Sequence, residues 1–503
     1  MNAKKITCTL TAASLLLPAV ALSGCGNKEE IRLRVYSWEE YIDEGGEGSY
    51  VYDVLEEENA PALIDDFESW YEQTYGTPIR VEYSTFGTNE DMYNQLKLGD
   101  TYDLVCPSDY MIMKLAAENM LEPLSDGFFD AENELNYYVN NVSPYIRSIF
   151  DNGKMTADGG EHSWSEYAAG YMWGTTGLIY NPEAVSDEAL AQGWGIMLDP
   201  AFRKKVTTKD NVRDSYFVGL AIYYKEELLR LKSEYDADAL STEEYNRQIT
   251  LLMNDTDEKT VAEVQNILLQ MKENIYGFET DTGKSDMVKG NIFLNFAWSG
   301  DAVYALDLAE EEDTYLNYYI PEECANLFFD GWAMPKGANK QAAEAFINFL
   351  SMPANAVRNS YFIGYTSVIA GEEMLSYAEE TYGAEEDSET AEWYDLSYFF
   401  GEEAGLYVEE EQLNRQLYAQ YPPEEAIRRC AVMDYYGENE ARVNELWTKV
   451  KGASLDGWAI AVICIGVAGI AAFAVFVKLG GKIDFFRRKP KKGYERIKQE
   501  PLS

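Results

Sequence analysis

The chain has 503 residues, and 87 Asp+Glu against 41 Lys+Arg give a formal net charge of −46. This anionic balance excludes nucleic-acid binding, which needs basic surface to displace counterions. A hydrophobic share of 46% and an aromatic share of 14% exclude long disorder, 6 Cys exclude a disulfide-framework fold, and the one His (His162) argues against His-rich metal sites and His-dependent catalysis. At about 100–200 residues per domain, the length fits two or three domains.

Residues 1–24 read as a secretory signal: Lys4 and Lys5, then a short apolar stretch from Thr9 to Leu22, too interrupted to span a membrane. It closes on Leu22-Ser23-Gly24-Cys25, which resembles the lipobox of bacterial lipoproteins. That resemblance implies that Cys25 becomes the lipid-modified first residue of the mature chain. Ile31–Tyr36 alternates apolar and polar residues and predicts a first strand. The Gly- and Glu-rich stretch 44–60 has no clean period and reads as a surface insertion. Ala62–Tyr75 has helical spacing and stops before Pro78; Ile79–Tyr83 predicts a second strand. Met92–Leu98 predicts a helix, Asp103–Cys106 a buried strand and Met111–Leu121 another helix. This alternation implies a parallel α/β sheet.

Tyr171–Tyr180 predicts a strand pair or a crossing segment, and Phe217–Met271 a long charged helical region with an insertion over 222–262. Ile292–Ala297 predicts an apolar strand, Lys340–Ser351 an amphipathic helix and Leu417–Lys451 a mostly helical stretch. Trp458–Val477 then runs without a charge for about 20 residues, enough for a helix across a hydrocarbon core of about 30 Å. Lys478, Lys482, Arg487, Arg488, Lys489, Lys491 and Lys492 follow, so the tail 478–503 is expected in the cytoplasm and the body outside. Cys106, Cys324 and Cys430 remain in the exported body, with one disulfide or none between them.

No GxSxG, HExxH, P-loop or GxGxxG motif occurs, and no spacing singles out a catalytic carboxylate pair. What stands out is aromatic and acidic residues together just after predicted strands, where open α/β sheets place ligands. These are Trp38-Glu39-Glu40-Tyr41, Ser108-Asp109-Tyr110, Trp298-Ser299-Gly300-Asp301 and Phe328-Phe329-Asp330-Gly331-Trp332. Aromatic faces attract cations and carboxylates pair with ammonium groups, so this combination suits a linear diamine. A packing role for each aromatic and a solvated role for each acid are the alternatives.

The stretches VYSWEEYI, VEYSTFGTNEDMYNQL, YDLVCPSDYMIMKL, GYMWGTTGLIYNPEAV, FLNFAWSGDA, FFDGWAMPKGANKQAAEAFINFLSMP and FIGYTSV occur in this order over roughly residues 31–450. Together they resemble the extracytoplasmic polyamine-binding proteins of ABC importers, the spermidine/putrescine-binding family. The resemblance implies an α/β, type II periplasmic-binding-protein fold: two lobes, a hinge and an interlobe ligand cleft. It implies lobe 1 over 25–170 with a return at 327–375, and lobe 2 over 171–326 with a C-terminal helical part at 376–452. It puts Trp38 and Tyr41 on one wall of the cleft with Glu39 nearby, Ser108 and Tyr110 in a turn, and Trp298 opposite. Asp330 matches the amine-receiving carboxylate. Asp301 matches an acid of the putrescine-selective branch, and Phe328 stands where that branch has Phe. Asp214 matches a carboxylate that is Glu in the family, and Tyr365 matches a lining Tyr. Asn211 replaces an acid of the spermidine branch, and the late glutamine of that branch falls on Met433; both departures favour a shorter diamine.

The implied partners are putrescine or spermidine and the permease subunits of an ABC transporter with their ATPase. No cofactor, metal or covalent chemistry is expected. Three alternatives stay open: another small cationic or amino-acid-like solute, a ligand-sensing ectodomain, and a carboxylate-dependent hydrolase.

Overall fold

The computed structural model describes residues 30–46, 60–280, 282–385 and 388–452. The expected signal 1–24, Cys25, the span 458–477, the tail 478–503 and most of the insertion at 44–60 lie outside the described residues. Among the described residues no helix is long and apolar enough to cross a membrane.

Among the described residues the main sheet has 12 strands. From one edge its order is Ile79–Phe86, Ile31–Trp38, Leu104–Val105, Ala325–Pro335, Ala168–Tyr180, Leu294–Trp298, Val206–Lys209 and Gly277–Glu279. The strands at each end run parallel, as strand–helix alternation requires. The sheet as a whole is mixed rather than parallel. Ala325–Pro335 and Ala168–Tyr180 run antiparallel to each other and to Leu104–Val105 and Leu294–Trp298 respectively, and they join the two parallel groups.

Ala168–Tyr180 is a single 13-residue strand, buried along its whole length, not a pair. Burial on both faces explains its continuous run of apolar and small residues in place of alternation. Gly174 has a packing reason within it: a Cβ there would lie 2.2 Å from Ser299 Oγ and 2.9 Å from the Phe328 ring. A β-bulge interrupts the pairing of the two long strands between Asp330 and Gly331, and bulges re-aim side chains.

The helices fall where their caps place them. Thr88 accepts from the Asp91 amide at the start of Asn89–Leu98, and Gly99 ends that helix with φ 103°. Asn211 accepts from the Arg213 and Asp214 amides at the start of Val212–Tyr223. The insertion 222–262 is itself helical: Lys225–Asp236 and Thr242–Met253 bury Leu228, Leu231, Tyr245, Ile249 and Met253. Leu417–Lys451 is more broken than its composition suggests. Short helices at Gln416–Gln420 and Glu424–Arg428 flank Pro422 and Pro423, and Cys430–Ala431 pairs in parallel with Ala325–Asn326 before the helix Glu440–Lys451. A proline has no amide to donate, which breaks the helix there. Cys106, Cys324 and Cys430 are buried free thiols.

Candidate functional site

Within each parallel group, strand C-termini and helix N-termini fall at the same end, and the three antiparallel pairings between the groups make the two groups run in opposite directions. Trp38 ends its strand. Ser108 precedes the helix Asp109–Ala117, Asn211 precedes Val212–Tyr223, and Trp298 precedes Ser299–Glu311. The aromatic–acidic clusters seen in the sequence therefore owe their position to the topology. Asp109, Asp214 and Asp301 all stand in first turns, where the helix dipole favours a carboxylate.

Asp330 is the centre of one group. It lies within the long strand Ala325–Pro335, is 6% exposed, and sits opposite Ser108 in an isolated bridge. Tyr41 donates to its Oδ2 at 2.6 Å and Ser108 to its Oδ1 at 2.7 Å. Burial pushes the Asp330 carboxyl up to about 6, against the two hydroxyls that stabilise its charge. Tyr41 is fixed in turn: Tyr171 donates to its carbonyl at 2.7 Å, and the rings of Tyr171 and Tyr365 meet it edge-on at 5.6 and 5.7 Å. Phe328 meets Tyr365 at 6.1 Å.

Tyr365 reaches this point because residue 300 is glycine. A Cβ on Gly300 would fall 1.9 Å from the Tyr365 ring. Burial raises the Tyr365 hydroxyl pKa most, and the charges of Asp301, Asp330 and Asp214 raise it further.

Asp214 and Trp298 form a second group. The Trp298 indole N–H donates to Asp214 Oδ1 at 3.4 Å, and burial pushes Asp214 up to about 6. Among the described residues neither Asp330 nor Asp214 forms a salt bridge: Asp330 is held by two neutral hydroxyls, while Asp214 takes the Trp298 N–H and also feels the positive charges of Lys209 and Arg213. Asp301 differs. Lys209 donates to its Oδ2 at 3.1 Å and Lys284 to its Oδ1 at 3.2 Å. Burial works against its charge, but these two lysines outweigh it and hold the Asp301 carboxyl below the usual range.

The remaining sequence-derived residues sit less centrally. Tyr110 is buried, donates to Glu90 at 3.2 Å and carries the Arg213 guanidinium 4.4 Å from its ring centre. Trp38 is half-buried against Phe86 at 4.6 Å. Glu39 is exposed in the turn after the first strand, outside the hydrogen-bonded network. Asn211 acts as a helix cap, and Met433 is buried. Asn89 escaped the sequence reading, although it lies in one of the stretches quoted above. Its amide nitrogen donates to the Ser108 and Tyr110 hydroxyls at 3.1 Å each, and its oxygen accepts from the Ser108 amide. Its place directly after Gly87-Thr88, at a helix start following a strand, was the available signal. Lys209 also went unnoticed, as a lysine at the end of a strand reads as surface.

Buried carboxylates on neutral donors, walled by aromatic rings, can receive ammonium groups and bury the methylenes between them. The model of the bacterial extracellular solute-binding protein family matches residues 62–376. The chain belongs to the bacterial extracellular solute-binding proteins. This solute-binding protein is 25% identical over 377 residues to the spermidine/putrescine-binding periplasmic protein of Escherichia coli, covering 74% of this chain and 87% of that one. It is 26% identical over 362 residues to the putrescine-binding periplasmic protein of the same organism, covering 70% and 80%. Among solved structures it resembles the spermidine/putrescine ABC transporter substrate-binding protein of Streptococcus pneumoniae, with a TM-score of 0.53 and 23% identity over 84% of this chain and 98% of that one. A lipoprotein of Treponema pallidum has a TM-score of 0.54 at 18% identity, over 83% and 99%. The fold is that of the periplasmic solute-binding proteins, an α/β mixed sheet flanked by helices.

Proposed function

We propose that this solute-binding protein takes up a linear polyamine, putrescine or spermidine, and delivers it to the permease of an ABC transporter driven by its ATPase. The observation that carries this reading is Asp330: a buried carboxylate, aligned by Tyr41 and Ser108, with no cationic partner among the described residues. A bound ammonium would supply the missing charge by a charge-assisted hydrogen bond. Trp298, Asp214, Tyr365 and Phe328 line the rest of the site, and each methylene buried against them contributes about 0.8 kcal/mol. The ligand lies between two lobes joined by Ala168–Tyr180 and Ala325–Pro335, with lobe 1 over 25–170 and 327–375, and lobe 2 over 171–326 and 376–452. Closure about these crossing strands is hinge motion. No covalent step is involved.

The body works on the outer side of the cell membrane, tethered by lipid on Cys25 and by the span 458–477, with the tail 478–503 in the cytoplasm. Two tethers raise the effective concentration of the body at the permease. Calorimetry of the purified full chain against putrescine, spermidine and a panel of amino acids tests the reading. Polyamine binding is expected, weakened at least about tenfold, or 1.4 kcal/mol, by Asp330→Ala and by Trp298→Ala. Unchanged affinity in both variants, or tighter binding of an amino acid, overturns it.

A further inference from the structure

Lys209 closes the strand Val206–Lys209 and is 1% exposed, an unusual setting for a lysine. Its ammonium donates to the Thr280 carbonyl at 2.7 Å and to Asp301 at 3.1 Å, and lies 3.8 Å from Glu279. It also sits 4.3 Å from the centre of the Trp298 ring. Asp301 takes a second ammonium from Lys284, while Glu279 accepts from the Asn295 side chain and the Gly283 amide, each at 2.9 Å. Among the described residues two lysines thus face two carboxylates. The same Trp298 that carries the Lys209 ammonium on its ring turns its indole N–H to Asp214.

An aromatic face, a carboxylate and a carbonyl acceptor around one ammonium are what the end of a polyamine requires. Here the protein supplies that ammonium from its own chain. We infer that Lys209 is a built-in ammonium that fills the amine subsite formed by Trp298, Asp301 and Thr280, so that the ligand carries two ammonium groups, at Asp330 and Asp214, and a third is rejected. This rests on the polyamine reading above. Burial by itself would lower the Lys209 pKa, but Asp301 and Glu279 outweigh it and hold the group charged. A third ligand ammonium would meet that fixed charge in a low-dielectric site, where like charges repel strongly. Lys209 would therefore set the charge of the ligand rather than hold it.

The test compares calorimetric affinities for putrescine, with two ammonium groups, and spermidine, with three, in the full chain and in Lys209→Met. The wild type is expected to prefer putrescine. Lys209→Met leaves Asp301 its contact with Lys284 and Glu279 its neutral donors, but opens one negative charge. It is expected to shift the ratio of affinities toward spermidine by at least about tenfold. Adding Asp301→Asn to that variant removes the opened charge and is expected to bring the ratio back. A wild type that binds spermidine more tightly than putrescine overturns the inference without recourse to any variant. So does a folded Lys209→Met whose ratio stays within about twofold of the wild type. A wild type that binds neither polyamine overturns the polyamine reading and this inference with it, which separates the two failures.

Discussion

Tyr41 donates a 2.6 Å hydrogen bond to Asp330, a residue 289 positions further along the chain. Both are buried, and the bond ties the turn after the first strand to a strand that crosses the centre of the sheet. With the Ser108 hydroxyl on the other carboxylate oxygen, Asp330 is held in one orientation by groups of the protein itself. Preorganisation of this kind lowers the ordering cost of binding.

Tyr41→Phe and Ser108→Ala each remove one donor to that carboxylate and leave the rest of the group in place. Hydrogen bonds to charged groups contribute about 1.5–3 kcal/mol, so each change is expected to weaken polyamine binding roughly tenfold or more in calorimetry at pH 7.5. Because both act on the same carboxylate, the double variant is expected to lose less than the sum of the two.

Acidification is expected to act oppositely on binding and on the stability of the unliganded protein. Asp330 and Asp214 are each pushed up to about 6 by burial, from an ordinary value of 3.8. Their folded values lie above the unfolded ones, so their contribution to stability is complete below about pH 4 and is lost as pH rises through about 6. Asp109, pushed up to about 8 by burial, acts in the same direction. From these groups, the unliganded melting temperature should rise between pH 7.5 and pH 5. Ligand ammonium groups need the ionised carboxylates, so affinity should fall over the same interval, by up to about tenfold per pH unit for each group. A melting temperature that falls on acidification together with an affinity that does not change would contradict both assignments.

Gly300→Ala is expected to displace Tyr365. The added Cβ would lie 1.9 Å from the ring, in a helix start packed against it. Overpacking typically costs about 1–3 kcal/mol. Urea unfolding should show that loss, and calorimetry a weaker polyamine affinity, because Tyr365 packs on both Tyr41 and Phe328.

Arg358→Met tests the support beneath the first turn. Arg358 donates to buried Asp43 at 2.9 Å and to Asp66 at 2.8 Å. Removing one member of a buried ion pair costs about 3–5 kcal/mol. The Asp43 carbonyl also accepts from Leu63, so the loss should destabilise the turn that follows Tyr41 and appear as a lower urea midpoint.

Much of this architecture was legible in the sequence. Strands at Ile31–Trp38 and Ile79–Phe86 and helices at Leu63–Tyr75 and Lys340–Leu350 fall within a few residues of their expected limits, because short-range periodicity sets them. The candidate residues could also be named, as their types carry the chemistry and their place after strands follows from α/β topology. The antiparallel course of Ala168–Tyr180 was not legible, since a strand buried on both faces has no alternation to read. Nor was the broken course of Gln416–Lys451, where pairing with a distant strand overrides local propensity.

The sequence by itself determined which carboxylates and aromatic rings stand together just after strands, through its strand–helix order. Only the tertiary structure decided which of these carboxylates form salt bridges among the described residues. Asp330, Asp214 and Asp301 look alike as letters. Asp330 is hydrogen-bonded by two hydroxyls and Asp214 by an indole N–H, while Asp301 is ion-paired with Lys209 and Lys284, which lie 92 and 17 residues away. The interaction of buried charges depends on separation and on the surrounding medium, and chain distance fixes neither.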